Sequence, residues 1–226
     1  MIILKWKSSI LCVAALFGLL VIHPASSQAV DIGSVKQLRL DAYGTPVGKK
    51  KRSLYARNKV SANEVVETVR DGGMLLSFLD GTEFRLGSSS QVTLDEFVYD
   101  PNDTVGKMTL RLSKGVFRFV SGKMSKQGIK LVTPTALIGV RGTDFFVIIG
   151  DDNSTSVLVE EGEVEIESVN VDTPPAVITS GGTAVVASSG TISRGVQVAI
   201  KDDALTASSI SDGGAGNVGG DAGGYH

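Results

Sequence analysis

Cysteine, tryptophan and histidine are nearly absent from this chain of 226 residues. Cys12 and Trp6 are single occurrences, and the two histidines are His23 and His226. Only His226 lies beyond the first 29 residues, so the rest of the chain has no disulfide partner and no interior histidine. This excludes catalytic triads that use cysteine or histidine, and it excludes histidine-ligated zinc sites. We expect no metal and no cofactor, and a domain that is stabilised by core burial alone.

Long apolar runs are also missing, with one exception near the start. Residues 8–22 are apolar but shorter than the roughly 20 residues that span a bilayer, and Lys5 and Lys7 precede them. A polar end of small residues follows and reaches Ala29. This order predicts a signal peptide over residues 1–29, cleaved after Ala29, and an exported protein that is periplasmic or secreted. No second such run occurs, so we expect no transmembrane helix after cleavage.

An excess of positive charge is lacking as well. The chain has 22 lysines and arginines against 24 acidic residues, a formal net charge of −2. A weakly acidic balance argues against nucleic acid as a partner. One basic cluster, Lys49 to Arg52, is interpreted as a solvated loop.

Apolar and polar residues alternate with a period of two along most of the chain, for example over residues 91–95, 107–112 and 163–167. This alternation is typical of half-buried β-strands, and Gly-, Asp- and Asn-containing turns separate the segments. Gly-Thr leads into an apolar strand at three places, residues 81–84, 142–145 and 182–185. We therefore predict an all-β fold: a single domain of stacked antiparallel strand pairs, β-solenoid-like, with a β-sandwich or roll as the alternative.

The predicted organisation has four parts. After the signal peptide at 1–29, residues 30–62 hold a first strand (32–40) and the basic loop, and residues 63–200 form the main β domain. Residues 201–226 form a C-terminal segment with one short helix over 201–209. Glycine dominates from 212 onward, which predicts disorder because such a segment buries too little apolar surface.

The most informative stretch is residues 133–147, two apolar strands joined by a Gly-Val-Arg-Gly-Thr corner. Its candidate residues, for a partner site or a structural motif, are Gly139, Val140, Arg141, Gly142, Thr143 and Asp144. The sequence predicts a fixed cation, Arg141, in the middle of a β core. We interpret Arg141 as a structural lock, tied to backbone carbonyls or to a local acid such as Asp144. The alternative is an anchor for an anionic ligand or a partner's carboxylate.

Three other features are interpreted as structural rather than functional. Phe117 and Phe119 share one strand face and are interpreted as core. Residues 151–153, Asp-Asp-Asn, lack the later glycine and glutamate of a calcium loop and are interpreted as a plain turn. Glutamates at 160, 161, 163, 165 and 167 are interpreted as a solvated strand edge, with a surface for a divalent ion or a basic partner as the alternative.

Several motifs occur in the order typical of a known bacterial envelope family, and together the chain resembles a FecR-domain protein over roughly residues 60–190. The motifs are Asn63 to Thr68, Leu76 to Gly87, Ser90 to Leu94, Lys114 to Gly122, Thr133 to Val147, and Gly162 to Val164.

The resemblance implies a periplasmic, non-catalytic β module. The best-known members regulate iron uptake through a cytoplasmic segment that holds a sigma factor, one membrane helix, and a periplasmic domain that contacts an outer-membrane receptor. This sequence has a predicted signal peptide where those members have a membrane helix. It therefore resembles a stand-alone exported version without direct contact to a sigma factor.

The function expected from the sequence is a non-catalytic protein-binding, sensing or scaffold module of the envelope. Its partner is an envelope protein or a cell-wall component. Two alternatives stay open at this point: a glycan-acting enzyme that uses a carboxylate pair, and a secreted adhesin-like structural subunit.

Overall fold

The computed structural model describes residues 30–100 and 103–198. The predicted signal peptide and the predicted C-terminal helix and disordered tail lie outside these residues. Within them the all-β class is confirmed, since the chain forms seventeen strands and a single 3-10 turn at Lys126–Gly128. None of the described residues forms a helix long and apolar enough to cross a membrane.

The strands in chain order are as follows. The first nine are β1 (Asp31–Arg39), β2 (Ala42–Thr45), β3 (Arg52–Ser53), β4 (Lys59–Ser61), β5 (Glu64–Thr68), β6 (Gly73–Phe78), β7 (Glu83–Leu86), β8 (Gln91–Asp100) and β9 (Asp103–Val120). The other eight are β10 (Ile129–Val132), β11 (Ala136–Val140), β12 (Asp144–Ile149), β13 (Thr155–Glu161), β14 (Glu163–Ser168), β15 (Ala176–Thr179), β16 (Thr183–Val186) and β17 (Ile192–Arg194).

The strands form one open sheet that is folded into two layers. The first layer has the order β4-β1-β6-β7-β9-β12-β13-β16-β17. The second has the order β3-β2-β5-β8-β9-β10-β11-β14-β15. Strand β9 belongs to both layers, because its residues 103–114 pair in the second and its residues 115–120 pair in the first. The pairing of β9 with β10 is parallel, and the other pairings between described strands are antiparallel.

The strand pairs alternate between the layers along the chain. Hairpin β10–β11 lies in the second layer, β12–β13 in the first, β14–β15 in the second and β16–β17 in the first. The three Gly-Thr steps of the sequence lead into β7, β12 and β16, all in the first layer. The recurring sequence pattern thus corresponds to recurring positions in the fold, and the chain changes layer at each connection between hairpins.

One apolar core lies between the layers. Alternate residues of each strand point into it, and the buried side chains of both layers belong to a single cluster. Its largest members are phenylalanines: Phe84 stacks on Phe117 at 5.5 Å between ring centres, and Phe119 lies 5.5 Å from Phe145. All four are at most 1 % exposed, which confirms Phe117 and Phe119 as core. Aromatic burial supplies a large part of the stabilisation in a domain with no disulfide.

The N-terminal segment 30–62 is built into this same sheet. Strand β1 spans nearly the predicted residues and pairs with β4 and β6, and β2 pairs with β5. The solvated-loop interpretation of the basic cluster fits Lys49 and Lys50, which are exposed. Lys51 is exposed too, with a surface ion pair to Glu67 at 2.6 Å. The interpretation is wrong for Arg52, which lies in β3 and pairs with the buried Glu64 at 2.8 Å.

Candidate functional site

The Gly-Val-Arg-Gly-Thr corner connects the second layer to the first, between β11 and β12. Gly142 adopts φ = 75°, a left-handed conformation that favours glycine. The carbonyl oxygen of Gly142 occupies the space where a Cβ on Gly162 would lie. The amide of Arg141 donates to the carbonyl of Glu163 at 3.0 Å. The corner therefore packs directly on the Gly162 to Val164 motif, and this close approach excludes a side chain at position 162.

Arg141 lies on the outer surface of the second layer, and the predicted position in a β core is wrong. Val140 is the last inward-facing residue of β11, so the alternation of the strand directs the next side chain outward. The Arg141 side chain is 56 % exposed, and its guanidinium donates to Glu165 at 2.5 Å and lies 3.7 Å from Glu163. The hydrogen bond to Glu165 is the main cause that raises the pKa of Arg141 above its ordinary value.

Asp144 has a different partner from the one suggested by the sequence. Its carboxylate accepts two hydrogen bonds from Arg118, at 2.8 and 2.6 Å, in the bidentate geometry that suits a guanidinium. The guanidinium also lies 5.1 Å from the ring centre of Phe146. The hydrogen bond that Arg118 donates to Asp144 raises the pKa of Arg118 above its ordinary value. The ion pair that fixes the start of β12 is thus Arg118–Asp144.

The contacts of Arg118 and Arg141 predict that their replacement by alanine has different effects on the free energy of unfolding. Arg118→Ala removes a bidentate bond from a half-buried carboxylate, so we expect a loss of about 1–2 kcal/mol in the free energy of unfolding. Arg141→Ala removes exposed ion pairs, so we expect little change in the urea midpoint. Urea unfolding of both variants, compared with the parent chain, measures the contrast. Equal midpoint shifts for the two variants would contradict this assignment.

Thr143 carries a buried hydroxyl without a partner. The residue is 4 % exposed, and its Oγ1 has no hydrogen-bond partner among the described residues. Thr82 stands at the equivalent Gly-Thr step and differs, since its hydroxyl donates to Asp80 at 2.7 Å and accepts from the amide of Gly122 at 3.0 Å. The unpaired hydroxyl of Thr143 therefore costs stability, whereas the equivalent hydroxyl of Thr82 is hydrogen-bonded.

We expect Thr143→Val to raise the free energy of unfolding by about 1 kcal/mol, because an isosteric methyl replaces an unsatisfied hydroxyl. Thr82→Val is the matched control and should lower that free energy by about 1–3 kcal/mol, since it removes one hydrogen bond from the buried carboxylate of Asp80 and the bond accepted from the amide of Gly122. Thermal unfolding by circular dichroism measures both. A loss of stability in Thr143→Val would show that its hydroxyl is bonded in solution.

The acidic residues of β14 do not form a strand edge, and that interpretation is wrong. Strand β14 pairs with β11 on one side and β15 on the other. Glu163, Glu165 and Glu167 face outward from the second layer because Val164 and Ile166 face the core. Within residues 30–100 and 103–198, no group of three or more acidic or histidine side chains is arranged to hold a metal ion.

Residues 151–153 lie in the turn between β12 and β13, as the plain-turn interpretation has it. The amide of Ser154 donates to Asp152 at 3.0 Å, and Asn153 adopts φ = 65°. Hydrogen bonds from Ser154 lower the pKa of Asp152.

A groove of about 490 Å³ lies on the outer surface beside the corner. Its lining comes from the 3-10 turn and from β10, β11 and β14. Gly139 lies on its floor, in register with Lys130 of β10 and Glu165 of β14. Leu137 precedes and Arg141 follows Gly139 on the same outward side of the chain.

The structure separates the six candidate residues of the corner into three groups. Gly139 and Arg141 line the groove, Val140 and Thr143 are buried, and Gly142 and Asp144 fix the turn and the start of β12, Gly142 by its left-handed φ and Asp144 by its ion pair on the first layer. Arg118, Lys130 and the groove itself were not predicted as site features. Arg118 had one sequence signal, its position between two core phenylalanines, but its cross-strand partner depends on register.

The comparison with protein families agrees with the motifs. Residues 64–165 match the family profile described as FecR protein. This chain is also similar to two crystal structures of a candidate anti-sigma factor from Parabacteroides distasonis, at 2.50 and 1.65 Å resolution, with 17% sequence identity and TM-scores of 0.46 and 0.45. Each similarity covers 57% of this chain and 58% of the other. No curated protein matches the sequence.

The profile match begins at Glu64, the first residue of β5, and ends at Glu165, which binds Arg141. It includes the strands β5 to β13 and the corner, so the motif order recognised in the sequence coincides with a continuous part of the sheet. The chain therefore carries a FecR domain over residues 64–165.

Proposed function

We propose that this chain is a non-catalytic, exported regulatory or sensing module that binds another protein of the bacterial envelope. It acts in the periplasm after removal of a signal peptide at 1–29. Its folded part is a solenoid-like stack of strand pairs over residues 30–200, followed by a disordered glycine-rich tail. No direct contact with a sigma factor is required.

One observation carries the proposal: the outer surface beside the corner is charged, open and not needed by the core. Arg141 is 56 % exposed and is balanced by Glu165 and Glu163. Lys130 and Glu167 are exposed on the same surface. Such surface ion pairs add little to stability but set the specificity and rate of protein association.

The FecR domain supports a regulatory rather than a catalytic role. Its two most buried acids are held in structural bonds: Glu64 accepts from Arg52 and Ser61, and Asp80 accepts from Thr82. For the described residues, no feature favours the glycan-acting enzyme or the adhesin-like subunit over the binding module.

Site-specific photocrosslinking in intact cells tests the proposal. A benzoylphenylalanine at Gln127, on the rim of the groove, should give a discrete adduct with an envelope protein. The matched control is Tyr55, which is 65 % exposed and lies outside the FecR domain. Absence of an adduct at Gln127, or the same adduct from both positions, would overturn the proposal.

A further inference from the structure

Gly139 is a glycine that the fold does not require. Its φ is outside the left-handed region, and a Cβ built on it would meet only the carbonyl oxygen and Cβ of Glu165, at 3.8 and 3.9 Å. Those are ordinary contact distances, in contrast to Gly162, where a Cβ would overlap the carbonyl of Gly142. Glycine within a strand weakens it, and one reason for such a residue is the close approach of another molecule.

The missing side chain opens a slot in an otherwise continuous row across the second layer. In register across five strands, the row consists of Thr109, Lys130, Gly139, Glu165 and Val177. The strands beside β11 are each about 4.8 Å away. The backbones of β10 and β14 at Lys130 and Glu165 are therefore about 10 Å apart, and the slot between the two side chains has the peptide backbone of β11 as its floor.

An approaching chain cannot add a strand here, because β11 is paired with β10 and β14 on both sides. Contact has to be made face-on, by a side chain that lies on the glycine. A flat aromatic ring fills such a slot with large apolar area and few rotatable bonds. Two cations, Lys130 and Arg141, line the slot and favour a ring through cation–π contact.

The charges beside the slot indicate which chemical group of a partner would lie next to the aromatic ring. Arg141 is balanced by Glu165 and Glu163, whereas Lys130 has no ion pair among residues 30–100 and 103–198. The ammonium of Lys130 is exposed and lies next to Gly139 in the row. A carboxylate beside the ring would complement this charge.

Building on the proposed function, we infer that the slot over Gly139 receives an extended segment of the envelope partner that carries an aromatic residue next to an acidic one. The ring lies on Gly139 and the acid pairs with Lys130. The glycine-containing corner thus has two roles, a turn at Gly142 and a recognition slot at Gly139.

Gly139→Val tests the slot without changing charge or turn geometry. We expect a stability equal to or above that of the parent, because β-branched residues favour strands and the Cβ has room. Ser156→Val is the matched control, since Ser156 faces outward from β13 in the first layer. Both variants add a similar apolar group to a surface strand, and only one of them fills the slot.

The probe is a phage-displayed library of random nonapeptides, selected on the full-length chain. We expect enriched peptides to carry an aromatic residue adjacent to Asp or Glu, and to lose at least tenfold in binding to Gly139→Val but not to Ser156→Val. Lys130→Ala should reduce the acidic preference while the aromatic preference stays. Peptides that bind parent and Gly139→Val equally, or that lack the aromatic–acidic pair, would overturn the inference.

Two further outcomes separate this inference from the proposed function. If the crosslink from Gln127 persists in Gly139→Val, the binding module stands and the slot is not its recognition site. If the parent is a dimer in sedimentation and Gly139→Val is a monomer, the occupant is a second copy, and the inferred partner segment is wrong.

Discussion

Gly115→Ala is expected to lower the free energy of unfolding by about 3 kcal/mol or more. Gly115 lies where β9 passes from the second layer to the first, and it adopts φ = 109°. An alanine there is strained in its backbone. Its Cβ would also overlap the hydroxyl of Ser90 and lie 2.5 Å from the Cα of that residue. The Cα of Ser90 cannot yield without moving the backbone at the start of β8.

The contact with Ser90 also explains why the backbone is tightly packed where β9 passes from one layer to the other. Ser90 is fully buried, and its hydroxyl accepts from the amide of Val116 at 3.1 Å. The hydroxyl also lies 3.2 Å from the carbonyl of Val116, to which it donates. Val116, the residue after Gly115, is thus bonded to Ser90 through both its amide and its carbonyl, and a side chain at 115 would disturb both bonds. Displacement would reach both layers, because β9 is the strand they share.

Gly81→Ala is the matched control, and urea denaturation measures both variants. Gly81 has a similar φ of 85°, but a Cβ there would have no atom within 4 Å. The decrease in the free energy of unfolding of Gly81→Ala reports the backbone strain alone, about 1 kcal/mol. The difference between the variants therefore measures the contact with Ser90. Similar losses for the two variants would show that the crossing of β9 is not tightly packed.

Much of this fold follows from the alternation of apolar and polar residues. The inward positions of β8, β9 and β14 are the predicted ones, since Val92, Leu110 and Ile166 are all fully or almost fully buried. The pairing partners do not follow from this pattern. An alternating strand has the same signature whichever neighbour it takes, and β9 reads as two shorter strands because Gly115 interrupts it. Long-range register depends on which buried faces meet in three dimensions.

The site was harder to predict than the fold for a related reason. Arg141 is one residue past the inward-facing Val140, and a shift of one residue along a strand moves a side chain to the opposite face of the sheet. Asp144 is close to Arg141 in sequence but pairs with Arg118, 26 residues away, because β9 and β12 are neighbours in register. The slot over Gly139 has no sequence signal of its own, since a glycine looks the same where a turn needs it and where the fold does not.

Arg52→Met is expected to lower the free energy of unfolding by about 3 kcal/mol, because it removes the charged partner of a buried carboxylate. The carboxylate of Glu64 is completely buried and accepts from Arg52 at 2.8 Å. It also accepts from the amide and hydroxyl of Ser61 at 3.0 and 3.1 Å. A Cβ on Gly44 would overlap this carboxylate, so the fold leaves room for the charge. Without Arg52 the charge stays buried with neutral donors alone.

The double variant Arg52→Met with Glu64→Gln decides whether charge is the cause. The neutral amide still accepts from Ser61, so we expect the double variant to be more stable than Arg52→Met alone in urea denaturation. Lys51→Met is the matched control, because Lys51 pairs with Glu67 on the surface, and its loss should be only about 0–1 kcal/mol. Should the double variant be no more stable than the single one, packing of the arginine stem rather than its charge would account for the loss. Glu64 is the first residue of the FecR domain, and the bonds of Arg52 to Glu64 and to the carbonyl of Lys59 connect β3, β4 and β5. Higher stability of the double variant than of Arg52→Met would show that this connection depends on compensation of the Glu64 charge.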